Sequence, residues 1–301
     1  MAGSLTNLRR ALAWVATCAL VCAAADQVAA QSPQIAFASE FGGGELYVMD
    51  ANTLAITKTQ LGLATIEDLT YSRPLKTLAF GGTRKGTSAR GLFLLKWPGD
   101  KLERIPKAKG ESPYRPQFDP QGRYLYAVDY GVTIARYSLV ERKWARIPVV
   151  AASRPHIQEV AFSPSGKLAA ISKDSFKGFL IAEVAADHFR VTRELLSDFD
   201  SCISPHWLDE SHIVVLCRKI PGLQFVWTLD LTTEEVHQLT QAPLGTRDFL
   251  SVSGDSRSVV FTGIDKQYAW TLWRLRLENS KPVQLLPPKQ DDSYLFPTWM
   301  D

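Results

Sequence analysis

Cys202, His206, His212 and Cys217 are residue types that bind zinc, and they fall within one short stretch of the sequence. Their spacing reads instead as a hairpin. The stretch turns at residues 208–211, and a four-residue turn makes Cys202 and Cys217, and likewise Trp207 and His212, cross-strand neighbours. On that register His212 shares a face with Trp207 and points away from the other three. His206 lies four residues along the strand from Cys202, about 13 Å at ~3.3 Å per residue. No metal site is expected. Opposed cysteines on paired strands come close enough for a bridge, and an oxidising compartment favours one, so a Cys202–Cys217 disulfide is expected. A one-residue slip of register would leave two inert buried thiols instead.

Other chemical motifs are missing. No Gly-x-Ser-x-Gly nucleophile elbow occurs. Residues 81–86 share only glycines with a phosphate loop, because Gly86 is followed by Thr87 without the Lys that such a loop needs, and the stretch lies between strands. Gly42, Gly43 and Gly44 read as a turn. What remains is a set of residues at a regular offset: Glu67, Tyr114, His156, Gln158, Asp200, Arg247, Asp248, Asp292 and Tyr294 each stand four to seven positions before an apolar residue that closes a strand. Such a mixture could hold a polar ligand or a peptide end. If His156, Glu67, Asp200, Arg247 and Asp248 converged, it could supply acid–base chemistry on a polysaccharide. Taken singly, each reads first as a solvated loop residue.

The offset has meaning because the strand-closing residues repeat. Tyr71, Phe118, Phe162, Trp207, Val252 and Trp299 are separated by 47, 44, 45, 45 and 47 residues, a period that signals an array of like units. After these residues come turn formers, Asp119-Pro120-Gln121-Gly122 in one unit and Ser163-Pro164-Ser165-Gly166 in another. Short β-branched and aromatic runs follow at 77–80, 124–128, 168–171, 213–216 and 258–261, then third strands at 91–97, 133–138, 179–184, 225–231 and 271–277. More polar runs at 101–105, 143–149 and 235–239 read as a fourth. Four strands per unit describe a propeller blade. The first unit starts at what would be a second strand, near Ile35, and Tyr294–Trp299 supplies a first strand with nothing after it. Joined, they complete an all-β six-bladed propeller whose N- and C-terminal strands share one blade. This removes the open sheet edges of the alternative, a β-sandwich, which has no reason to keep so even a period.

Residues 35–39 followed by 45–50, the run Phe162-Ser163-Pro164-Ser165-Gly166-Lys167, and Val226-Trp227-Thr228-Leu229-Asp230-Leu231 resemble the repeats of TolB-like propellers, relatives of the WD-repeat propellers. The resemblance covers almost all of the chain after residue 30 and implies a propeller, and a single domain spanning residues 31–301 is expected. TolB itself carries an extra N-terminal α/β domain, for which no room is expected here.

Residues 1–30 set Arg9 and Arg10 before an apolar stretch at 11–25 and offer Val28-Ala29-Ala30 as a cleavage site, which is the layout of a secretory signal peptide. About 15 apolar residues fall short of the ~20 that span a bilayer, so stable membrane insertion after cleavage is not expected. Cys18 and Cys22 lack the small preceding residues of a lipoprotein signal. Loss of Arg9, Arg10 and Asp26 takes the formal charge from +3 to +2, too near balance to imply a nucleic-acid partner, and the basic residues at 101–109 read as a solvated hairpin face. No cofactor is implied. Two readings follow: a periplasmic or secreted module holding a protein, peptide or glycan at one mouth of the channel, or a propeller lyase or hydrolase acting on a polysaccharide.

Overall fold

The computed structural model describes residues 32–39, 43–107, 113–129, 131, 133–153, 155–173, 177–219, 222–264, 270–287 and 293–301, with Asp248 as backbone only. The chain runs through β1 (Gln34–Ser39), β2 (Glu45–Asp50) and β3 (Ile56–Gln60) into five further meanders. Blade 1 is β4 (Leu63–Ser72), β5 (Thr77–Arg84), β6 (Arg90–Lys96) and β7 (Leu102–Arg104), and blade 2 is β8 (Tyr114–Phe118), β9 (Tyr124–Asp129), β10 (Thr133–Ser138) and β11 (Lys143–Ile147). After β12 (Val149–Val150), blade 3 is β13 (Ile157–Phe162), β14 (Leu168–Lys173), β15 (Phe179–Val184) and β16 (Phe189–Leu195), with β12 added in parallel beside β16. Blade 4 is β17 (Ser201–Trp207), β18 (His212–Arg218), β19 (Phe225–Asp230) and β20 (Val236–Gln238), and blade 5 is β21 (Gly245–Val252), β22 (Ser258–Ile264), β23 (Trp270–Arg276) and β24 (Pro282–Gln284). β25 (Tyr294–Trp299) then pairs antiparallel with β1, Ile35 opposite Trp299 and Ala36 opposite Thr298, so the two chain ends complete blade 6. The chain is therefore a six-bladed β-propeller.

Burial explains which runs become which strands. The second strand of a blade lies between two neighbouring blades and is covered on both faces, so β5, β9, β14, β18 and β22 are almost continuously buried. The fourth strand lies at the rim, and β11 is accordingly mostly exposed. The apolar core divides into six clusters, one at each seam between blades, such as Ala79 and Leu92 against Phe118, Leu125 and Tyr137 between blades 1 and 2. Each fully buried Leu or Phe contributes about 1.5–3 kcal/mol, so every seam holds its neighbours by many such contacts. Glycine is required by close approach at Gly44, where φ is +76° and a Cβ would meet the Leu63 carbonyl oxygen at 2.3 Å, and likewise at Gly178.

The cysteine hairpin departs from its expected register. Cys202 does oppose Cys217, and their sulfurs are bonded, with the Cα atoms 4.2 Å apart. Beyond Ile203, however, β17 carries one extra residue. His206 then pairs with Val214 and Trp207 with Ile213, while His212 faces Leu208 through its carbonyl. Trp207 and His212 are therefore not partners, and His206 lies on the face opposite the disulfide, because a bulge at Ser204 and Pro205 rotates the rest of the strand. Among the described residues, no three His, Cys, Asp or Glu side chains are grouped so that they could hold a metal ion.

Candidate functional site

The first strands β4, β8, β13, β17, β21 and β25 ring the channel axis, and each breaks its ladder near the same place. In four of them the break is the same bulge, two residues opposite one: 68–69, 115–116, 204–205 and 296–297. The first residue of each bulge, Asp68, Arg115, Ser204 and Phe296, takes a left-handed φ of 54°, 51°, 52° and 56°. That conformation costs a non-glycine residue about 1 kcal/mol or more and persists only where its surroundings enforce it. Together with Glu159 and Phe249, which likewise stand three positions before a strand-closing residue, these residues line a narrow throat of about 50 Å³.

The bulges hold the blades together. A bulge frees a backbone N–H, and the preceding blade's throat side chain takes it up. Arg115 N–H donates to Asp68 Oδ2 (3.3 Å), Ser204 N–H to Glu159 Oε2 (3.0 Å), and Leu250 N–H to Ser204 Oγ (3.3 Å). Arg115 also ion-pairs with Glu159 at 3.3 Å, and Arg90 with Asp68 at 2.7 Å. Burial pushes the Asp68 carboxyl above the usual carboxylate range, opposed by the Arg115 and Arg90 guanidinium groups and reinforced by Glu67. On the other side the Phe249 and Phe296 rings meet at a tilt of 53° with centroids 4.1 Å apart, and Arg115 lies over Phe249. Three of the six throat residues are thus ionic and two aromatic, with the Ser204 hydroxyl the sixth, and the space left holds little more than a water or two.

Downstream of the throat the channel opens into a bowl of about 600 Å³. Its floor is the ring of residues just before each strand-closing position, Thr70, Gln117, Ala161, His206, Ser251 and Thr298, and its wall includes Phe118, Phe162, Trp207 and Trp299. The floor carries no fixed charge. Thr70 donates to Gln117 Oε1 (3.1 Å), and Ser251 Oγ accepts from Trp299 N–H (3.1 Å). His206, half-buried between bowl and throat, has Nδ1 3.4 Å from the Ser204 carbonyl. Burial lowers its pKa to about 4, the carbonyl contact opposing the shift, so the ring is neutral at pH 7. At the rim, Arg73 is paired with Asp301 (3.0 Å).

The residues singled out from sequence lie upstream of this bowl, and several are engaged by neighbouring side chains. Glu67 pairs with Arg90 (2.8 Å), whose guanidinium also lies over the Tyr114 ring. Asp200 pairs with Arg218 (2.7 Å), Arg247 lies over Trp270, and Tyr294 packs edge-on against Phe37 and Tyr47. His156 lines an open groove beside β16, and Gln158 Oε1 is buried without a described partner. The Asp248 side chain and Asp292 lie outside the described residues. No hydrogen bond or ion pair among the described residues links His156 to a carboxylate. The throat and the bowl floor, at three and one positions before the strand-closing residue, were reachable by the same offset argument carried further along the strand.

No family model matches the sequence, and no curated protein is significantly similar to it. Solved structures are similar in fold. TolB from Acinetobacter baumannii matches with a TM-score of 0.71 at 18% identity, over 89% of this chain and 67% of that one. A chain of a nidogen/laminin complex matches at 0.65 with 11% identity, over 89% and 98%. An oligogalacturonate lyase in complex with manganese matches at 0.53 with 11% identity, over 83% and 73%. At these identities the likeness is one of fold alone: this chain is a six-bladed propeller whose fold is TolB-like.

Proposed function

We propose that the protein is a periplasmic or secreted binding propeller that holds its partner in the bowl without covalent chemistry. The contrast between throat and bowl carries this reading. Among the described residues, the carboxylates and guanidinium on the channel axis are committed to bonds between blades, whereas the bowl floor keeps polar atoms with no protein partner. Export belongs to the same reading: residues 1–30 have the layout of a signal peptide, and the disulfide suits an oxidising compartment. The likeness to TolB and to a chain of the nidogen/laminin complex supports a binding role. The likeness to the lyase would favour an enzyme, but no described hydrogen bond pairs His206 or His156 with a carboxylate as a general acid–base pair would require.

The test places a photo-crosslinking residue either at Pro164, exposed on the bowl lining, or at Arg247, upstream of the throat, and exposes the protein to a periplasmic extract. Adducts at position 164 and none at 247 are expected. Adducts at 247 alone would move the site to the other mouth, and turnover of oligogalacturonate by the purified protein would overturn the non-catalytic reading.

A further inference from the structure

Resting on the bowl as the binding site, we propose that its ligand is the uncharged end of a saccharide chain, held by Gln117, His206, Ser251 and Thr298. Three features lead there. The bowl is blind, because about 600 Å³ of open space ends at a throat of about 50 Å³ closed by Arg115, Glu159 and the Phe249–Phe296 pair. What enters axially must therefore end there, so the bowl reads an end and not a threaded segment. Its volume falls within the ~300–1,000 Å³ of small-ligand sites.

The charged groups that line the bowl are already engaged by protein. Arg73 is held by Asp301, whose carboxylate in addition accepts the Gly254 N–H at 2.9 Å. Asp119 accepts the N–H groups of Arg123 (2.6 Å) and Tyr124 (2.7 Å) within its own turn. His206 is neutral at pH 7. A peptide ammonium or carboxylate seated on the floor would lose its water without gaining a counter-charge, a penalty that a neutral end avoids.

Finally, donors and acceptors alternate around the floor on different blades. Gln117 gives Oε1 to Thr70 and keeps its Nε2 donors, and Ser251 Oγ accepts from the Trp299 N–H and keeps its own proton. His206 turns Nδ1 to the Ser204 carbonyl, which leaves Nε2 as an acceptor, and Thr298 adds a hydroxyl. Sugar hydroxyls donate and accept at once and match such a ring. Trp207 and Trp299, exposed by 8% and 5%, add a little apolar surface to the wall beside that ring.

Calorimetric titration at pH 7 tests this with maltotetraose, cellotetraose and chitotetraose as neutral probes, tetragalacturonate as the acidic counterpart, and a mixture of short peptides with free ends. At least one neutral tetrasaccharide is expected to saturate the protein and tetragalacturonate to bind at least about tenfold more weakly. Gln117→Leu and His206→Phe should each weaken the neutral probe about tenfold, and Arg247→Ala should leave it unchanged. Melting temperatures of the variants separate lost binding from lost folding, and Gln117→Leu leaves the throat bonds untouched. Failure of all three neutral probes overturns the proposal, as does tighter binding of tetragalacturonate or peptide. If those charged probes are lost in Ser251→Trp, which fills the floor, the bowl stands as the site and only the ligand class falls. If no probe responds to Ser251→Trp and position 164 forms no adduct, the bowl reading falls as well.

Discussion

The throat and the bowl floor are built by the same six strands, two residues apart, yet they treat polar groups in opposite ways. In the throat, Arg115 and Glu159 pair across one blade seam and Glu159 accepts the Ser204 N–H across the next, while Asp68 accepts the Arg115 N–H across a third and pairs with Arg90 in its own blade. Gln117, His206, Ser251 and Thr298 on the floor are uncharged at pH 7 and only partly satisfied by protein. A buried charge left without a partner is so costly that charges on the axis fix the ring, while groups that tolerate a missing bond are the ones that can await a ligand. On the proposed reading, the ionic residues on the axis join the blades, and binding falls to the uncharged floor.

The sharpest way to break that contrast is Arg115→Met. It leaves the Glu159 carboxylate without its ion-pair partner in a mostly buried throat, while Asp68 keeps Arg90 and the backbone N–H at position 115, at an expected cost of about 3 kcal/mol in urea unfolding. Adding Glu159→Gln should recover part of the loss, since the amide oxygen can still accept the Ser204 N–H. A cost below about 1 kcal/mol would mean that the throat charges are well solvated and do not bind the blades together.

His206 gives the next largest effect, and its sign follows from its lowered pKa of about 4. As pH falls below 6.5 the unfolded chain takes up a proton at this ring, and the folded chain does not until about pH 4. Stability is therefore lost progressively across that window and is fully present above it. The loss from this one group is on the order of 1–3 kcal/mol, discounted for the part of the ring that water reaches. His206→Gln should remove that share of the pH dependence when urea midpoints are compared from pH 7 to pH 4. Identical profiles for the two proteins would show a floor that charges as easily as an exposed surface, and the distinction from the throat would weaken.

Much of this arrangement is legible in the sequence, and the part that is not has a physical cause. The even spacing from Tyr71 to Trp299 gives the blade count, and the unmatched strands at Ile35 and Tyr294 give the closure. The cysteine pair is also readable because it lies on the regular side of the bulge. What strand periodicity cannot foresee is an extra residue, and the bulge at Ser204 and Pro205 overturns the expected Trp207–His212 pairing and turns His206 toward the channel. One cue is present: Arg115-Pro116, Ser204-Pro205 and Phe296-Pro297 each put a proline inside a first strand, where it removes a ladder donor and marks a bulge. Asp68, followed by Leu69, carries no such mark and shows its left-handed backbone only in the fold.

The smallest expected effect belongs to Glu67, the acid that its offset first singles out. Its pair with Arg90 is about one-third exposed on both sides, 38% and 32%, and Arg90 keeps Asp68 as a second partner when Glu67 is lost. Surface pairs of this kind contribute about 0–1 kcal/mol. Removing the Glu67 charge also relieves part of the pressure that raises the Asp68 pKa, so the two consequences oppose each other. Glu67→Gln should shift the urea midpoint by no more than about 0.5 kcal/mol and leave binding in the bowl unchanged. A loss above about 2 kcal/mol would extend the structural girdle from the throat to the upstream mouth, and a loss of binding alone would return the upstream mouth to candidacy as the site.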